Sequence, residues 1–289
     1  MVRKIRSKWF FILSFPIILL TFLYFLFMPD LSKLKKENPK KTALMEYREK
    51  EAREKGKKYR VHQVWVPFSK ISPYLVKAVL IAEDDKFWKH EGFDFEAIQK
   101  AIEKDIQAKK FKFGGSTVTQ QLAKNLYLSP EKSFIRKVGE ALITWRMEKV
   151  LSKRRILELY LNVVEWGDGI FGVEAASRRY YGKPSSELAP EEATRLASVL
   201  PNPRKYNPVG DQRYVINRSN LIYSIMIQRG IVIPEYKPRC CIKMRLNQLD
   251  TPIKRLFPPF CRRPRGPHGP EGGDLPKVTL GLIQGTTLV

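Results

Sequence analysis

The feature that most constrains this chain is a run of 20 residues without a charge, Trp9 to Met28. A helix rises about 1.5 Å per residue, so this run would span roughly 30 Å, the thickness of the hydrocarbon core of a bilayer. A cleaved signal peptide usually has an apolar core of about 7–15 residues followed by a small-residue cleavage site. Because the run is longer and ends in MPDLSK, it predicts an uncleaved signal-anchor over residues 9–28 that crosses the membrane once.

The orientation of this predicted span rests on the flanking charges. Four basic residues precede it and three follow it closely, so the positive-inside count is nearly balanced. Only residues 1–8 precede the span, and we expect this short segment to stay in the cytoplasm. The rest of the chain is then predicted to lie on the outer face of the membrane.

The charge balance restricts the partners of the chain. Lysine and arginine number 53 against 29 acidic residues, which gives a formal net charge of +24. Such an excess indicates an anionic partner from one of three classes: nucleic acid, anionic lipid or a phosphorylated substrate. Charge alone does not choose among them. Hydrophobic residues make up 43% of the chain, which excludes a chain that is disordered throughout.

The remainder of the chain divides into three segments. Residues 29–60 are charged and helix-prone, and they predict a linker that lies along the membrane surface. Residues 61–237 show helical periodicity, which predicts a mainly α-helical domain. Residues 238–289 are rich in proline and glycine and predict a disordered tail. No zinc-ligand spacing is formed by the three cysteines of the tail, Cys240, Cys241 and Cys261.

Apolar residues at spacings of three and four mark the helices of the domain. Such stripes are typical of helices that pack one face against a core. Asp94 precedes the first stripe and is a candidate N-cap. The stripes consist of Phe95, Ile98, Ile102 and Ile106; of Ile135, Val138, Leu142 and Trp145; and of Ile156 and Tyr160.

The segment AEDDKFWKHEGFD, residues 82–94, places three acids at the end of a predicted helix. Apolar residues, among them Val79 and Ala82, lie one step around the helix from Glu83, so its carboxylate would be partly desolvated. Desolvation raises the pKa of a carboxyl group toward that of a useful general base. The ordinary alternative, which the pattern alone favours, is a helix end with solvated acids.

A metal site is a further alternative, but consecutive acids point in different directions and the zinc-protease pattern is absent. Its ligands would be Glu83, Asp84, Asp85 and His90.

The segment KFGGSTVTQQLAKN, residues 112–125, predicts a flexible loop that meets the start of a helix, with Ser116 or Thr117 as the cap. Free amides, hydroxyls and the positive end of a helix suit an anion such as phosphate. The GK[ST] core of a Walker loop is missing. The alternative is an ordinary capped helix after a mobile loop. The polar residues of its first turns are Gln120, Gln121 and Lys124.

The segment SPEKSFIRKVGE, residues 129–140, places Arg136, Lys137 and Glu140 on one face of a predicted helix. Taken alone, this is an intrahelical ion pair that contributes about 0.2–0.5 kcal/mol. Together with Lys124 and Lys132, the same residues form a cationic pocket for a pyrophosphate, with Glu140 as a second carboxylate beside it.

Five segments of the chain occur in the order and spacing of the motifs of glycosyltransferase family 51. They are EDDKFWKHEGFD, GGSTVTQQLAKNLYL, RKVGEAL, KRRILELYLN and RRYYGKP. Over about residues 60–230 the chain resembles the monofunctional biosynthetic peptidoglycan transglycosylases, which are membrane-anchored cell-wall polymerases of bacteria. The resemblance implies a mainly α-helical fold, with a lysozyme-like lobe beside a smaller membrane-facing lobe, preceded by one transmembrane helix.

The resemblance also implies a role for each candidate residue. Glu83 is similar to the general base that takes the proton of the acceptor hydroxyl, and Glu140 to the second carboxylate near the leaving pyrophosphate. Asp84 and His90 are expected to support the site. The phosphates are expected to face Lys124, Lys132, Arg136 and Lys137. The donor-binding motif is matched by Ser116, Thr117, Gln120 and Gln121.

The implied reaction polymerises lipid II into glycan strands, releases undecaprenyl pyrophosphate and inverts the donor anomeric carbon. The implied location is the bacterial cytoplasmic membrane, with the catalytic domain on the periplasmic side. The implied partners are lipid II, the growing glycan strand and membrane lipid, and no nucleic acid. The resemblance implies no organic cofactor. It leaves open a divalent cation, Mg²⁺ or Mn²⁺, and cell-division or elongation proteins as further partners.

Two alternatives belong to other functional classes. One is a lytic cell-wall glycosidase of lysozyme-like fold, which would not need a pyrophosphate pocket. The other is a non-catalytic, membrane-tethered basic scaffold, for which no nucleic-acid-binding motif is present.

Overall fold

The computed structural model describes Phe15 and residues 28–108, 115–131 and 133–233. Apart from Phe15 and Met28, the predicted membrane span lies outside these residues. So do Lys132 and the predicted tail with its three cysteines. Among the residues that the structure describes, no helix is both long enough and apolar enough to cross a membrane.

The described ranges are mainly helical, which confirms the predicted class. The α-helices are α1 (Ala43–Glu54), α2 (Pro73–Glu83), α3 (Phe95–Ala108), α4 (Val118–Tyr127), α5 (Phe134–Val150), α6 (Lys153–Val163), α7 (Val173–Tyr181), α8 (Pro190–Val199) and α9 (Arg213–Gln228). The strands are β1 (His62–Gln63), β2 (Glu165–Gly167) and β3 (Ile170–Phe171). Short 3-10 helices lie at Ser32–Lys35, Phe68–Lys70 and Ser185–Glu187.

Several helices begin at a side chain that caps them. Ser133 and Ser152 accept hydrogen bonds from backbone amides in the first turns of α5 and α6. Asp94 accepts one from Ala97 at 2.9 Å, which confirms the predicted N-cap of α3. These bonds satisfy amide groups that a helix leaves free at its first turn.

The three strands form a small sheet in the order β1-β3-β2, with β1 parallel and β2 antiparallel to β3. Strands of two or three residues are too short to leave an alternating pattern in the sequence. Gly172, which follows β3, has φ +80°, and a Cβ there would lie 2.6 Å from the backbone oxygen of Asn162. The position therefore requires glycine.

The core lies mainly between helices α2, α4, α6, α8 and α9. Its largest fully buried side chains include Trp166, Tyr160 and Phe87. Asn162 is also buried, and its side-chain amide donates to the carbonyl of Val66 and accepts from the amide of Val66, both at 2.9 Å. This pair fixes the chain before α2 to helix α6, so the catalytic segments are built on one packed scaffold.

The segment predicted as a charged linker is part of the folded domain, which corrects the sequence-based boundary at residue 60. Leu31, Leu34 and Met45 are buried in it. Arg48 of α1 contacts the buried carboxylate of Glu165 at 2.9 Å. The segment packs against the domain because a few apolar residues on one face are enough to bury that face, even when the other faces of the helix are charged.

Two of the three predicted stripes do not face the core. Ile106 on α3 is 70% exposed and Ile135 on α5 is 83% exposed, and their stripes are largely exposed with them. Helix α5 instead buries the opposite face, which carries Ile143 and Met147. Only the stripe of α6 is buried as expected. Periodicity shows that residues share a face, but it does not show what covers that face.

Candidate active site

Glu83 is the last residue of helix α2, whose residues Leu75 and Val79 are fully buried. Its side chain is only 12% exposed, and this burial raises the pKa of the carboxyl group above its ordinary value. The position agrees with the partly desolvated carboxylate and not with the solvated helix end that the pattern alone favoured.

The Glu83 carboxylate is held by two side chains from other helices. Gln121 of α4 donates from Nε2 to Oε2 at 3.0 Å. Arg218 of α9 lies 3.4 Å from Oε1 and also donates to the carbonyl of Ala82 at 3.1 Å. Both contacts favour the ionised form and so oppose the effect of burial on the pKa.

Tyr160 orients the amide of Gln121. Its hydroxyl donates to Oε1 of Gln121 at 3.0 Å. With the oxygen of the amide so engaged, the amide nitrogen is directed at Glu83. A buried tyrosine on α6 thereby determines which end of a glutamine on α4 meets the carboxylate.

Asp84 is buried, and other groups of the protein engage both of its carboxylate oxygens. Oδ2 accepts from the backbone amide of Val118 at the start of α4, at 2.9 Å. Oδ1 lies 2.8 Å from Nε2 of His90. Because Nδ1 of His90 accepts from the amide of Gly92, the ring proton of neutral His90 belongs on Nε2, facing Asp84. Asp84 therefore joins the end of α2 to the start of α4.

Asp85 forms a two-point ion pair with Arg229, at 2.5 and 2.9 Å. Arg229 lies 144 residues after Asp85, so no local pattern in the sequence predicted this partner. The hydrogen bond from Arg229 lowers the pKa of the Asp85 carboxyl group. The three consecutive acids thus have three different surroundings, as their different directions on the chain require.

The start of α4 is closed by its own residues. Thr117 accepts from the amide of Gln120, and Oε1 of Gln120 accepts from the amide of Thr117 at 3.0 Å, which together form a capping box. The hydroxyl of Thr117 donates to the carbonyl of Gly92 at 2.7 Å. Of the two predicted caps, Thr117 is the one used. The predicted donor-binding role of Gln120 stays a prediction, since its buried side chain serves the cap here.

Glu140 is buried on α5 between two cations of the same helix. Oε2 lies 2.8 Å from Nη1 of Arg136, and Oε1 contacts Nζ of Lys137. Nζ of Lys137 also lies 3.3 Å from the hydroxyl of Ser116. The shared helix face predicted from the spacing is confirmed, and Ser116 links it to the loop before α4.

Lys124 of α4 interacts electrostatically with both carboxylates, Glu140 and Glu83. Burial lowers the pKa of its ammonium group, and Arg136 and Lys137 lower it further, while Glu140 and Glu83 act in the opposite direction. A partly buried lysine thus interacts with both carboxylates and with the two cations of α5. Lys132, predicted to belong to the same set, lies outside the described residues.

A cavity of about 250 Å³ opens beside Glu83. Its walls are the end of α2 with the turn after it, the first turns of α3 and the loop 115–117. Gly115 permits this arrangement, since a Cβ there would lie 3.0 Å from Cα of Ile98. Ser116 lines the cavity, so the cationic face of α5 adjoins it through Lys137.

The described residues do not assemble a divalent-metal site from protein groups alone. No cluster of three or more histidine, cysteine, aspartate or glutamate side chains is placed to hold an ion within those ranges. Both oxygens of Glu140 face cations instead. A divalent cation at this site would need oxygens from an anionic ligand as well as Glu140.

The sequence did not predict Arg218 as a residue of the site, and its pattern assigned Tyr160 to the core. Arg218 lies 135 residues after Glu83, and no local spacing connects the two. Tyr160 is on a buried helical stripe, where a core role was the natural interpretation, and only its contact with Gln121 reveals a second role.

Comparison with known proteins identifies a family and several relatives of this chain. The family described as Transglycosylase matches residues 49–227. A biosynthetic peptidoglycan transglycosylase of an Azoarcus species is 57% identical over 169 residues, which cover 58% of this chain and 73% of the relative. The protein of that name from Nitrosospira multiformis is 48% identical over 194 residues, 67% of this chain and 84% of the relative. One from a Janthinobacterium species is 42% identical over 221 residues, 76% of this chain and 96% of the relative. The chain belongs to the transglycosylase family.

Proposed function

We propose that the protein is a peptidoglycan glycosyltransferase that polymerises lipid II and releases undecaprenyl pyrophosphate. The curated relatives carry the name biosynthetic peptidoglycan transglycosylase. The observation that carries the proposal is the pairing of Glu83, a buried carboxylate with a raised pKa, with a cationic group that begins at Lys124. Glycosyl transfer from a pyrophosphate needs a base at one end and positive charge at the other.

Glu83 is the general base of the proposed reaction. One of its oxygens takes the proton of the acceptor sugar hydroxyl as that oxygen forms a bond to the donor anomeric carbon. The bond from this carbon to the pyrophosphate oxygen breaks, and the configuration inverts. The raised pKa of the Glu83 carboxyl group improves it as a base, while the contacts with Gln121 and Arg218 favour its ionised form.

The leaving pyrophosphate is bound by Lys124, Arg136 and Lys137, with Lys132 as a further predicted member. Arg136 retains a buried Nε without a hydrogen-bond partner among the described residues. A buried donor without an acceptor destabilises the folded protein. A phosphate oxygen of the substrate would supply the missing acceptor. Glu140 holds the two α5 cations in place. Ser116, Thr117, Gln120 and Gln121 make up the predicted donor-binding segment.

If a divalent cation, Mg²⁺ or Mn²⁺, takes part, Glu140 would be the residue that holds it beside the pyrophosphate. When bound it would neutralise charge that develops on the leaving group. Lys124, Arg136 and Lys137 already supply positive charge there, so the residues of this chain perform binding and orientation in either case.

The protein acts at the outer face of the cytoplasmic membrane, where its lipid-linked substrate resides. The exposed apolar faces of α3 and α5 support this location. Large apolar side chains exposed to this degree on a monomer typically mark a protein or membrane contact. On this view α3 and α5 belong to the smaller lobe that faces the membrane beside a lysozyme-like helical lobe. The exposed members are Phe95, Ile102, Ile106, Phe134, Ile135, Val138, Leu142 and Trp145.

The proposal is tested by polymerisation of lipid II with the full-length protein, in buffers with Mg²⁺ or with a chelator. Glu83→Gln should lower the initial rate by at least about 100-fold, the usual contribution of a general base. Glu91→Gln is the matched control, because Glu91 lies in the same segment but is 81% exposed. Normal polymerisation by Glu83→Gln, or digestion of preformed peptidoglycan in a zymogram, would contradict the proposal.

A further inference from the structure

A second cavity lies outside the candidate active site and shares no lining residue with the cavity beside Glu83. Its volume is about 760 Å³, within the roughly 300–1,000 Å³ typical of small-molecule sites. Its walls are strand β1, the β2–β3 turn, helix α7 and the loop 203–207 after helix α8. Helix α7 ends within the RRYYGKP motif, residues 178–184, to which the proposed reaction assigns no role.

The second cavity is strongly cationic. Its single acidic side chain is Asp168, which Arg204 already contacts at 3.1 Å. For Arg179 and Lys205, no ion pair with any described residue is present. Two cations therefore face this cavity without neutralisation by the part of the chain that the structure describes. The four basic residues that line it are Arg178, Arg179, Arg204 and Lys205.

Aromatic and apolar surface lies beside these cations. Tyr206 lines the cavity and stacks on Tyr214 of α9, with ring centroids 4.2 Å apart and planes 13° from parallel. Tyr180 and Val64 line other walls. Guanidinium groups bind carboxylates at two points, and tyrosine rings provide rigid contact area with a polar edge. The combination suits a carboxylate carried on a larger organic body rather than a small free ion.

Helix α9 carries one residue that packs against the rim of this cavity and another that contacts Glu83. Tyr214, on which the cavity residue Tyr206 stacks, lies one helical turn before Arg218 on the same face of α9. Arg218 contacts Glu83. Arg218 therefore lies about 6 Å of helical rise from Tyr214, whose ring packs against Tyr206 at the rim of the cavity.

We propose that the second cavity binds a peptide stem of the growing glycan strand through its free carboxylates. This assignment rests on the proposed function, because that function supplies a polymer which carries anionic peptides at regular intervals and remains near Glu83 between additions. Arg179 and Lys205 receive the carboxylates, and Tyr206 contacts the peptide or sugar body. Such a contact retains the strand after each addition and favours long products.

The test measures binding of a soluble, uncrosslinked glycan oligomer with free stem carboxylates to the full-length protein in detergent. The double variant Arg179→Gln/Lys205→Gln should bind this probe at least about tenfold more weakly, since hydrogen bonds to charged groups are lost. The same oligomer with amidated carboxylates should bind both proteins weakly. Lys50→Gln/Arg53→Gln is the matched control: it removes the same charge from exposed positions of α1 that line neither cavity.

Strand length provides a second readout. From lipid II, the Arg179→Gln/Lys205→Gln protein should make shorter strands than the control variant. Equal binding of the probe by the double variant and the control, or equal affinity for amidated and free oligomers, would overturn the assignment. Displacement of the probe by an equal concentration of short-chain phosphatidylglycerol would overturn it in favour of a lipid headgroup. Failure of the wild-type protein to make any strand would instead refute the proposed function, because probe binding requires no catalysis.

Discussion

Gln121 donates a hydrogen bond to Glu83 at 3.0 Å across a separation of 38 residues, and this bond opposes the rise in pKa that burial imposes on the carboxyl group. Burial and the hydrogen bond from Gln121 thus shift the pKa of the proposed base in opposite directions. Burial alone would favour the protonated form, which cannot accept a proton. The glutamine shifts the balance toward the ionised form and sets how far toward neutral pH the carboxyl group titrates.

Replacement of Gln121 should move the acidic side of the pH–rate profile. In Gln121→Met the pKa of Glu83 rises further, because a contact that favours the charged form is lost. Glu83 is then protonated up to a higher pH, and the rise of kcat/KM with pH should begin later than in the wild type. Gln99→Met, at an exposed position of α3, is the control. An unchanged acidic limb would show that this bond does not tune the base.

Replacement of Lys124 should change the alkaline side of the same pH–rate profile. Burial lowers the pKa of its ammonium group below the ordinary 10.5, so the charge that faces the pyrophosphate is lost as pH rises through this lowered value. Arginine remains charged over the whole range. Lys124→Arg should therefore shift the fall in kcat to higher pH, even if its maximum rate is lower. Lys77→Arg, exposed on α2, should leave the limb in place.

Gly92 should not tolerate a side chain. Its φ is +87°, and a Cβ would lie 2.8 Å from Cγ2 of Thr144 and 3.0 Å from Cγ of Glu148. Gly56 has φ +64° but open space around a Cβ, so Gly56→Ala measures the cost of the backbone alone, about 1 kcal/mol. The free energy of unfolding should fall by about 1–3 kcal/mol more in Gly92→Ala, by analogy with overpacked cores. Equal losses in urea titrations of the two variants would contradict the steric reason.

The Asp85–Arg229 pair should contribute little to stability and only above acidic pH. The pKa of Asp85 is lowered in the folded state, so its contribution is complete above the ordinary value and is lost as pH falls through the lowered one. Both side chains are about half exposed, and such pairs contribute roughly 0–1 kcal/mol. Asp85→Asn should lower the Tm slightly at pH 7 and by less at pH 2. A larger loss at pH 2 would contradict this sign.

Features that depend on neighbouring residues were predictable from the sequence. The Asp94 cap, the Thr117 cap and the shared face of Arg136, Lys137 and Glu140 each involve residues no more than four positions apart. Helix geometry alone determines such distances, so spacing was sufficient.

Features that depend on tertiary packing were not predictable in this way. Arg218 meets Glu83 only because α9 and α2 pack side by side, and no pattern spans the intervening residues. The burial of Met45 and the exposure of Ile135 have the same origin. The amphipathic pattern describes a helix by itself, whereas burial depends on which other element arrives to cover it.

Helix α4 carries Gln121 and Lys124 three residues apart, within one turn and about 4.5 Å of rise. One rigid element therefore fixes the interval between the group that tunes proton acceptance and a cation for the departing phosphate. Asp84 and Gly92 anchor the start of that helix. A ligand that displaced the start of α4 would move Gln121 and Lys124 together. It would therefore disturb both proton acceptance and phosphate binding, and would inhibit the enzyme from a place that contacts neither the sugar nor the phosphate.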